Sequence, residues 1–118
     1  MNSFDLEERT AVFAENIIDL CKRIKITPMN MKVISQIIGS GGSIGANYCE
    51  ASEAESKKDF RHKMSIAKKE IKETKHWLRL LAKINLEEID NIRLLWREAQ
   101  ELLLIFSKSI KTSSEKNN

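Results

Sequence analysis

Apolar side chains recur along this chain at alternating steps of three and four residues, the spacing that lines one face of an α-helix. In the first segment the series is Leu6, Thr10, Phe13, Ile17, Leu20 and Ile24, which predicts a helix over residues 5–25. Thr27-Pro28 follows. Proline suits a first helical turn, where its missing N–H would have been unpaired anyway, and Thr27 stands where a capping side chain is wanted. A second helix is therefore expected over residues 28–53. Ser56-Lys57-Lys58-Asp59 has the layout of a capping box with Asp in place of Glu, and Phe60, Met64, Ala67, Ile71, Thr74, Leu78 and Leu81 then predict a third, longest helix over 57–84. Asn85-Leu86-Glu87-Glu88 is another box-like start, and Ile92, Trp96, Ala99, Leu103, Phe106 and Ile110 carry a fourth helix over 86–110. The polar tail, 111–118, is expected to fray. Four amphipathic helices with three short connections pack as an all-α, antiparallel up-down-up-down four-helix bundle, one domain spanning residues 1–118. Trp77, Trp96 and the four Phe are assigned to its core or the core margin.

One stretch resists this pattern. Gly39-Ser40-Gly41-Gly42-Ser43-Ile44-Gly45-Ala46 falls inside the second helix, and each Gly costs about 1 kcal/mol relative to Ala in a helix interior. Propensity alone breaks the helix here. The alternative is close packing: Gly41 with Gly45, and Gly42 with Ala46, are four apart and share a face on which a neighbouring backbone could approach. A phosphate loop is the weaker reading, since no strand precedes the glycines and no Lys-Ser or Lys-Thr closes them.

Charge changes the picture more than composition does. The 118 residues hold 20 Lys and Arg against 17 Asp and Glu, a modest +3. Between Lys57 and Lys83, however, ten bases face three acids, so this segment carries +7 and the rest of the chain −4. On a helical wheel with Arg61 at zero, Lys68, Lys72, Lys75, Arg79 and Lys83 all fall within about 40° of it, while the apolar set and the acids Asp59, Glu70 and Glu73 occupy other sectors. Like charges three or four apart, such as Lys68 with Lys72, each cost an isolated helix roughly 0.2–0.5 kcal/mol. The stripe is therefore not there for helix stability. Either it is solvated or neutralised by acids such as Glu15, Asp19, Glu98 and Glu101 of the same or a neighbouring subunit, or it binds an RNA or DNA backbone. No aromatic interleaves the stripe, so base stacking of the kind single-strand binders use is not expected.

The stretch Gln36-Ile37-Ile38-Gly39-Ser40-Gly41-Gly42-Ser43-Ile44-Gly45-Ala46-Asn47-Tyr48-Cys49-Glu50-Ala51, followed by Ser56-Lys57-Lys58-Asp59-Phe60 and Lys69-Glu70-Ile71-Lys72-Glu73-Thr74, resembles the bacterial four helix bundle proteins encoded within 23S rRNA intervening sequences. The resemblance covers most of residues 5–107. It implies that the glycine segment stays helical, that the protein forms a ring-shaped homopentamer, and that it has no known catalytic activity. It also implies kinship with accessory proteins of diversity-generating retroelements, which bind nucleic acid and a reverse transcriptase. One departure is Gly39, where many members carry Arg, so an anion contact made through that Arg is not expected here.

Other chemistry finds little footing. Glu73-x-x-His76 has the spacing of one half of a di-iron site, but it occurs once, and Glu73 lies off the apolar stripe. Cys21 and Cys49 lack a Cys-x-x-Cys spacing and are read as reduced, packed thiols. His62 and His76 form no nucleophile layout with either Cys, and Ser40 and Ser43 have no base partner. No catalytic, metal or cofactor site is expected. No apolar run approaches the roughly 20 residues of a membrane span, and the start, Met1 to Glu8, lacks the basic-then-apolar layout of a secretory signal. The expectation is a cytoplasmic, non-enzymatic homo-oligomer that binds RNA or DNA, or else a ring whose partners are proteins.

Overall fold

The computed structural model describes the backbone of residues 3–115 and the side chains of residues 6–115. Four helices run through it: α1 (Ser3–Lys22), α2 (Met31–Ser52), α3 (Lys57–Ile84) and α4 (Ile89–Glu115). A single 3-10 turn, Leu86–Glu88, leads into α4. Every neighbouring pair is antiparallel, as the cross-helix contacts show. Thr10 and Ile17 of α1 lie against Gly45 and Gly41 of α2, and Arg9 of α1 meets Glu98 of α4 while Arg23 just after α1 meets Glu88 just before α4. Ser40 and Glu50 of α2 meet Thr74 and Lys63 of α3, and Arg61 and Lys75 of α3 meet Ser113 and Gln100 of α4. The up-down-up-down bundle measures 50 × 20 × 20 Å, with α1 and α3 on opposite corners.

The helix ends show where local chemistry overrides the periodic pattern. α1 stops at Lys22, before the expected residue 25, because Arg23 N–H and Ile24 N–H bond three residues back, to Leu20 and Cys21, and tighten the chain out of the helix. The turn at Pro28 is capped as the sequence implies, since Thr27 Oγ1 accepts from Asn30 N–H at 3.3 Å. Asn30 answers it: its Oδ1 accepts from Thr27 N–H at 2.8 Å, and regular helix begins at Met31. Ser56 caps α3 by accepting from Asp59 N–H at 3.0 Å. Asn85 does not cap α4, because its Oδ1 accepts from Asn30 Nδ2 at 3.2 Å instead, and a 3-10 turn takes up the slack.

Residues 111–115 continue α4 rather than fraying; residues 116–118 lie outside the described residues. Arg61 Nη1 donates to Ser113 O and Oγ at 3.4 and 3.5 Å, tying that last turn to α3.

The predicted stripes of α1 and α3 are the observed core, with only Phe60 partly exposed. On α4 the stripe is turned by one residue. Leu95 and Leu102 are buried in place of Trp96 and Leu103, giving Ile92, Leu95, Ala99, Leu102 and Phe106. The apolar runs Leu94-Leu95-Trp96 and Leu102-Leu103-Leu104 permit either reading, and packing against α3 decides between them.

The glycine segment is continuous helix, against propensity and in line with the family resemblance. Gly41 and Gly45 face α1: a Cβ on Gly41 would lie 2.5 Å from Ile17 Cδ1, and one on Gly45 3.0 Å from Thr10 Oγ1. Gly42 and Ala46 do not share in that packing. Both are exposed, and a Cβ on Gly42 would meet nothing within 4 Å. The two pairs are about 100° apart on the helix, so only one can face α1.

Candidate nucleic-acid interface

The basic residues of α3 lie along the seam with α4. Arg61, Lys68 and Lys75 are half-buried, whereas Lys72, Arg79 and Lys83 are exposed. From Arg61 to Lys83 the row runs about 33 Å at 1.5 Å per residue. Two of its members are anchored to α4: Arg61 through Ser113, and Lys75 through Gln100 Oε1, which accepts from its ammonium. Among the described residues, Lys68, Lys72, Arg79 and Lys83 make no hydrogen bond or ion pair. They form the solvated part of the row.

The acids that could have neutralised this row are committed elsewhere. Glu98 forms a two-pronged pair with Arg9 of α1, Nε to Oε2 and Nη2 to Oε1, both at 2.7 Å, and Glu101 accepts from the same guanidinium at 3.2 Å. That hydrogen bonding outweighs partial burial and raises the Arg9 pKa further. Glu15 and Asp19 sit exposed on α1, the helix diagonal to α3. Within one chain they cannot reach the stripe. The acids of α3 itself face away from it; burial, together with the charge and hydrogen bond of Glu73, pushes the Glu70 carboxyl above its ordinary value. Off the stripe, Lys63 pairs with Glu50 of α2 at 3.5 Å.

One aromatic does reach the row, and it comes from α4. Trp96 is 40% exposed, with Lys75 Nζ 4.3 Å from the centroid of its ring. The expectation that no aromatic meets the basic row is thus overturned by the neighbouring helix, and the assignment of Trp96 to the core or its margin does not hold. The signal was present in the triple Leu94-Leu95-Trp96, of which only one member can point inward. Trp77 fits the core margin as expected; it is half-buried, with its indole N–H enclosed and unbonded.

The other candidates do not assemble. Glu73 and His76 are both exposed, and among the described residues no three His, Cys, Asp or Glu side chains gather where they could hold a metal. The Ser40 hydroxyl is buried against Thr74 Oγ1 at 2.8 Å, and Ser43 donates to Gly39 O at 2.9 Å, so both serve the helix and its packing. Cys21 is buried, which pushes its thiol up, but Cys49 is exposed, so only the first is a packed thiol. No helix is long and apolar enough to cross a membrane among the described residues.

Residues 3–108 match the family model described as 23S rRNA-intervening sequence protein. The chain belongs to that family. Among solved structures, it is similar to a protein of unknown function from the S23 ribosomal protein family of Bacteroides thetaiotaomicron, at 30% identity and a TM-score of 0.81. The match covers 94% of this chain and 99% of that one. No curated protein matches the chain.

Proposed function

We propose that this intervening-sequence protein is a non-enzymatic, cytoplasmic binding module that holds an RNA or DNA backbone along the basic row of α3. The observation that carries this reading is the group of cations Lys68, Lys72, Arg79 and Lys83, whose side chains make no ion pair among the described residues while Glu98 and Glu101 of the neighbouring α4 are engaged by Arg9. Such a row gains free energy by releasing counterions condensed on a polyanion, and it reads phosphates rather than base edges. Binding is then weakly sequence-specific and steeply salt-dependent.

The test is a fluorescence-anisotropy titration of a labelled RNA and a labelled DNA at several salt concentrations. Replacing Lys68, Lys72, Arg79 and Lys83 together with Ala removes no side-chain hydrogen bond or ion pair among the described residues. It is expected to flatten the plot of log affinity against log salt by about three units, each phosphate contact contributing roughly 0.7 to 0.9. An unchanged slope in a folded variant removes these residues from the proposal.

A second reading, self-association, is favoured by a different face. Ile18 and Ile38 are 45% and 42% exposed, and the shallow groove beside them is lined by Ala11, Ala14, Gly42, Ala46 and Cys49. This is the α1/α2 side, across the bundle from the basic row. The homo-oligomer implied by the family resemblance, a pentamer, fits an interface here, where small side chains permit close approach and α3 stays open. Light scattering on Ala46→Arg is expected to give a smaller particle than the parent with the fold retained. An oligomer held by this apolar face persists in high salt, whereas one held by the basic row dissociates.

A further inference from the structure

We infer that Trp96 is a base-stacking platform within this face, so that the ligand it selects is an unpaired strand of RNA or DNA rather than a closed duplex; the inference rests on the phosphate-binding reading above. The indole is 40% exposed although an inward position lay one residue away, and Leu95 holds that position instead. Its ring is addressed from the basic row, since the Lys75 ammonium lies 4.3 Å from its centroid. Lys72 and Arg79 stand on either side of Lys75, about 4.5 and 6 Å along the helix axis. A strand whose phosphates follow these cations passes over the indole.

The chemistry at the ring suits a base. A cation over an aromatic face is held by the ring quadrupole, so a base that takes this face has to displace the ammonium. Lys75 has a long unbranched stem, and its one side-chain hydrogen bond is to the neutral Gln100. A base that takes the ring face displaces the ammonium sideways, where it meets the phosphate of the same strand. Every base has a π-face, so the site tolerates sequence; a duplex keeps its bases stacked on one another and offers none.

The test uses the full chain and labelled 12-nucleotide probes: RNA and DNA single strands, abasic strands of the same length, and a blunt duplex. The parent protein is expected to bind base-bearing strands about 5- to 100-fold more tightly than abasic strands at equal salt. Trp96→Ala should erase that difference while leaving the abasic affinity and the salt slope unchanged, and Trp96→Phe should keep part of it. With two Trp in the chain, a Trp77→Phe background leaves Trp96 as the only indole, whose emission base-bearing strands should quench and abasic strands should not. Equal affinity of the parent for base-bearing and abasic strands overturns stacking and leaves the phosphate reading standing, as does a preference that survives Trp96→Ala. Binding of none of the probes at low salt overturns both.

Discussion

Replacing Asn30 with Leu is expected to lower the unfolding free energy by about 2–4 kcal/mol, measured by urea denaturation at fixed protein concentration. Asn30 is fully buried, and its side chain bonds to three residues in two segments. Oδ1 accepts from Thr27 N–H at 2.8 Å, and Nδ2 donates to Lys25 O at 3.0 Å and to Asn85 Oδ1 at 3.2 Å. One amide thus closes the α1–α2 connection and ties it to the α3–α4 connection at the same end of the bundle. Leu has the same number of side-chain heavy atoms, though it is bulkier, and it leaves two acceptors and one donor without their partner, each costing roughly 1–3 kcal/mol where water cannot reach it. Thr27 and Asn85 are partly exposed, which keeps the total below the sum.

Asn30→Asp separates this account from a packing effect. The aspartate keeps the acceptor for Thr27 N–H but loses both donors, and its charge faces the Lys25 carbonyl and Asn85 Oδ1. Burial then raises its folded pKa above the unfolded value of about 3.9. Because the folded state holds the proton more tightly, stability is highest below that value. It declines as pH rises through the folded pKa and is flat above it. A packing defect would show no such slope. In a double-mutant cycle, Asn85→Ala should cost less in the Asn30→Leu background than alone, since the two side chains share one bond.

How much of this was legible in the residues depends on how many ways each pattern could be satisfied. On α1 and α3 one apolar series keeps the steps of three and four throughout, apolar residues such as Val12, Ile18 and Leu80 fall outside it, and its members are the buried ones, Phe60 partly. α4 offers consecutive apolar residues, Leu94-Leu95-Trp96 and Leu102-Leu103-Leu104, so two stripes fit and only the partner helix selects one. That rotation decides whether Trp96 is core or surface, and with it whether the basic row has an aromatic neighbour. The row itself was readable, because the position of cations on one helix needs only the 3.6-residue period. The engagement of Glu98 and Glu101 was not, since it depends on which helix brings Arg9 alongside α4. Asn30 carried no signal beyond its proximity to a capping Thr, because its other partners lie five and 55 residues away.

Gly41 and Gly42, adjacent in sequence, should respond to a larger side chain with opposite signs. Gly42 is exposed, and a Cβ there meets nothing within 4 Å, so Gly42→Ala removes only the helix penalty of glycine and should stabilise by about 0.5–1 kcal/mol. Gly41→Leu should destabilise by about 3 kcal/mol. Its Cβ alone would lie 2.5 Å from Ile17 Cδ1, and the rest of a Leu side chain would have to enter the α1–α2 contact where Ile17 is 1% exposed, so turning one methyl aside does not make room for it. Gly41→Ala sits between these limits, with the terminal methyl of Ile17 turning aside at a cost that meets or exceeds the gain in propensity. Gly45 is less forgiving than its 3.0 Å contact suggests. The Thr10 hydroxyl it touches donates to Leu6 O at 2.8 Å, and the Thr10 Cβ and carbonyl carbon stand behind it at 3.4 and 3.8 Å. A hydroxyl pinned by that hydrogen bond cannot turn aside as the free end of Ile17 can, so Gly45→Ala should cost more than Gly41→Ala. The order of midpoints expected in denaturation is Gly42→Ala above the parent, then Gly41→Ala, Gly45→Ala and Gly41→Leu. The same order fixes the purpose of the glycines: two admit α1 to α2, and Gly42 keeps the outer face of that pair low.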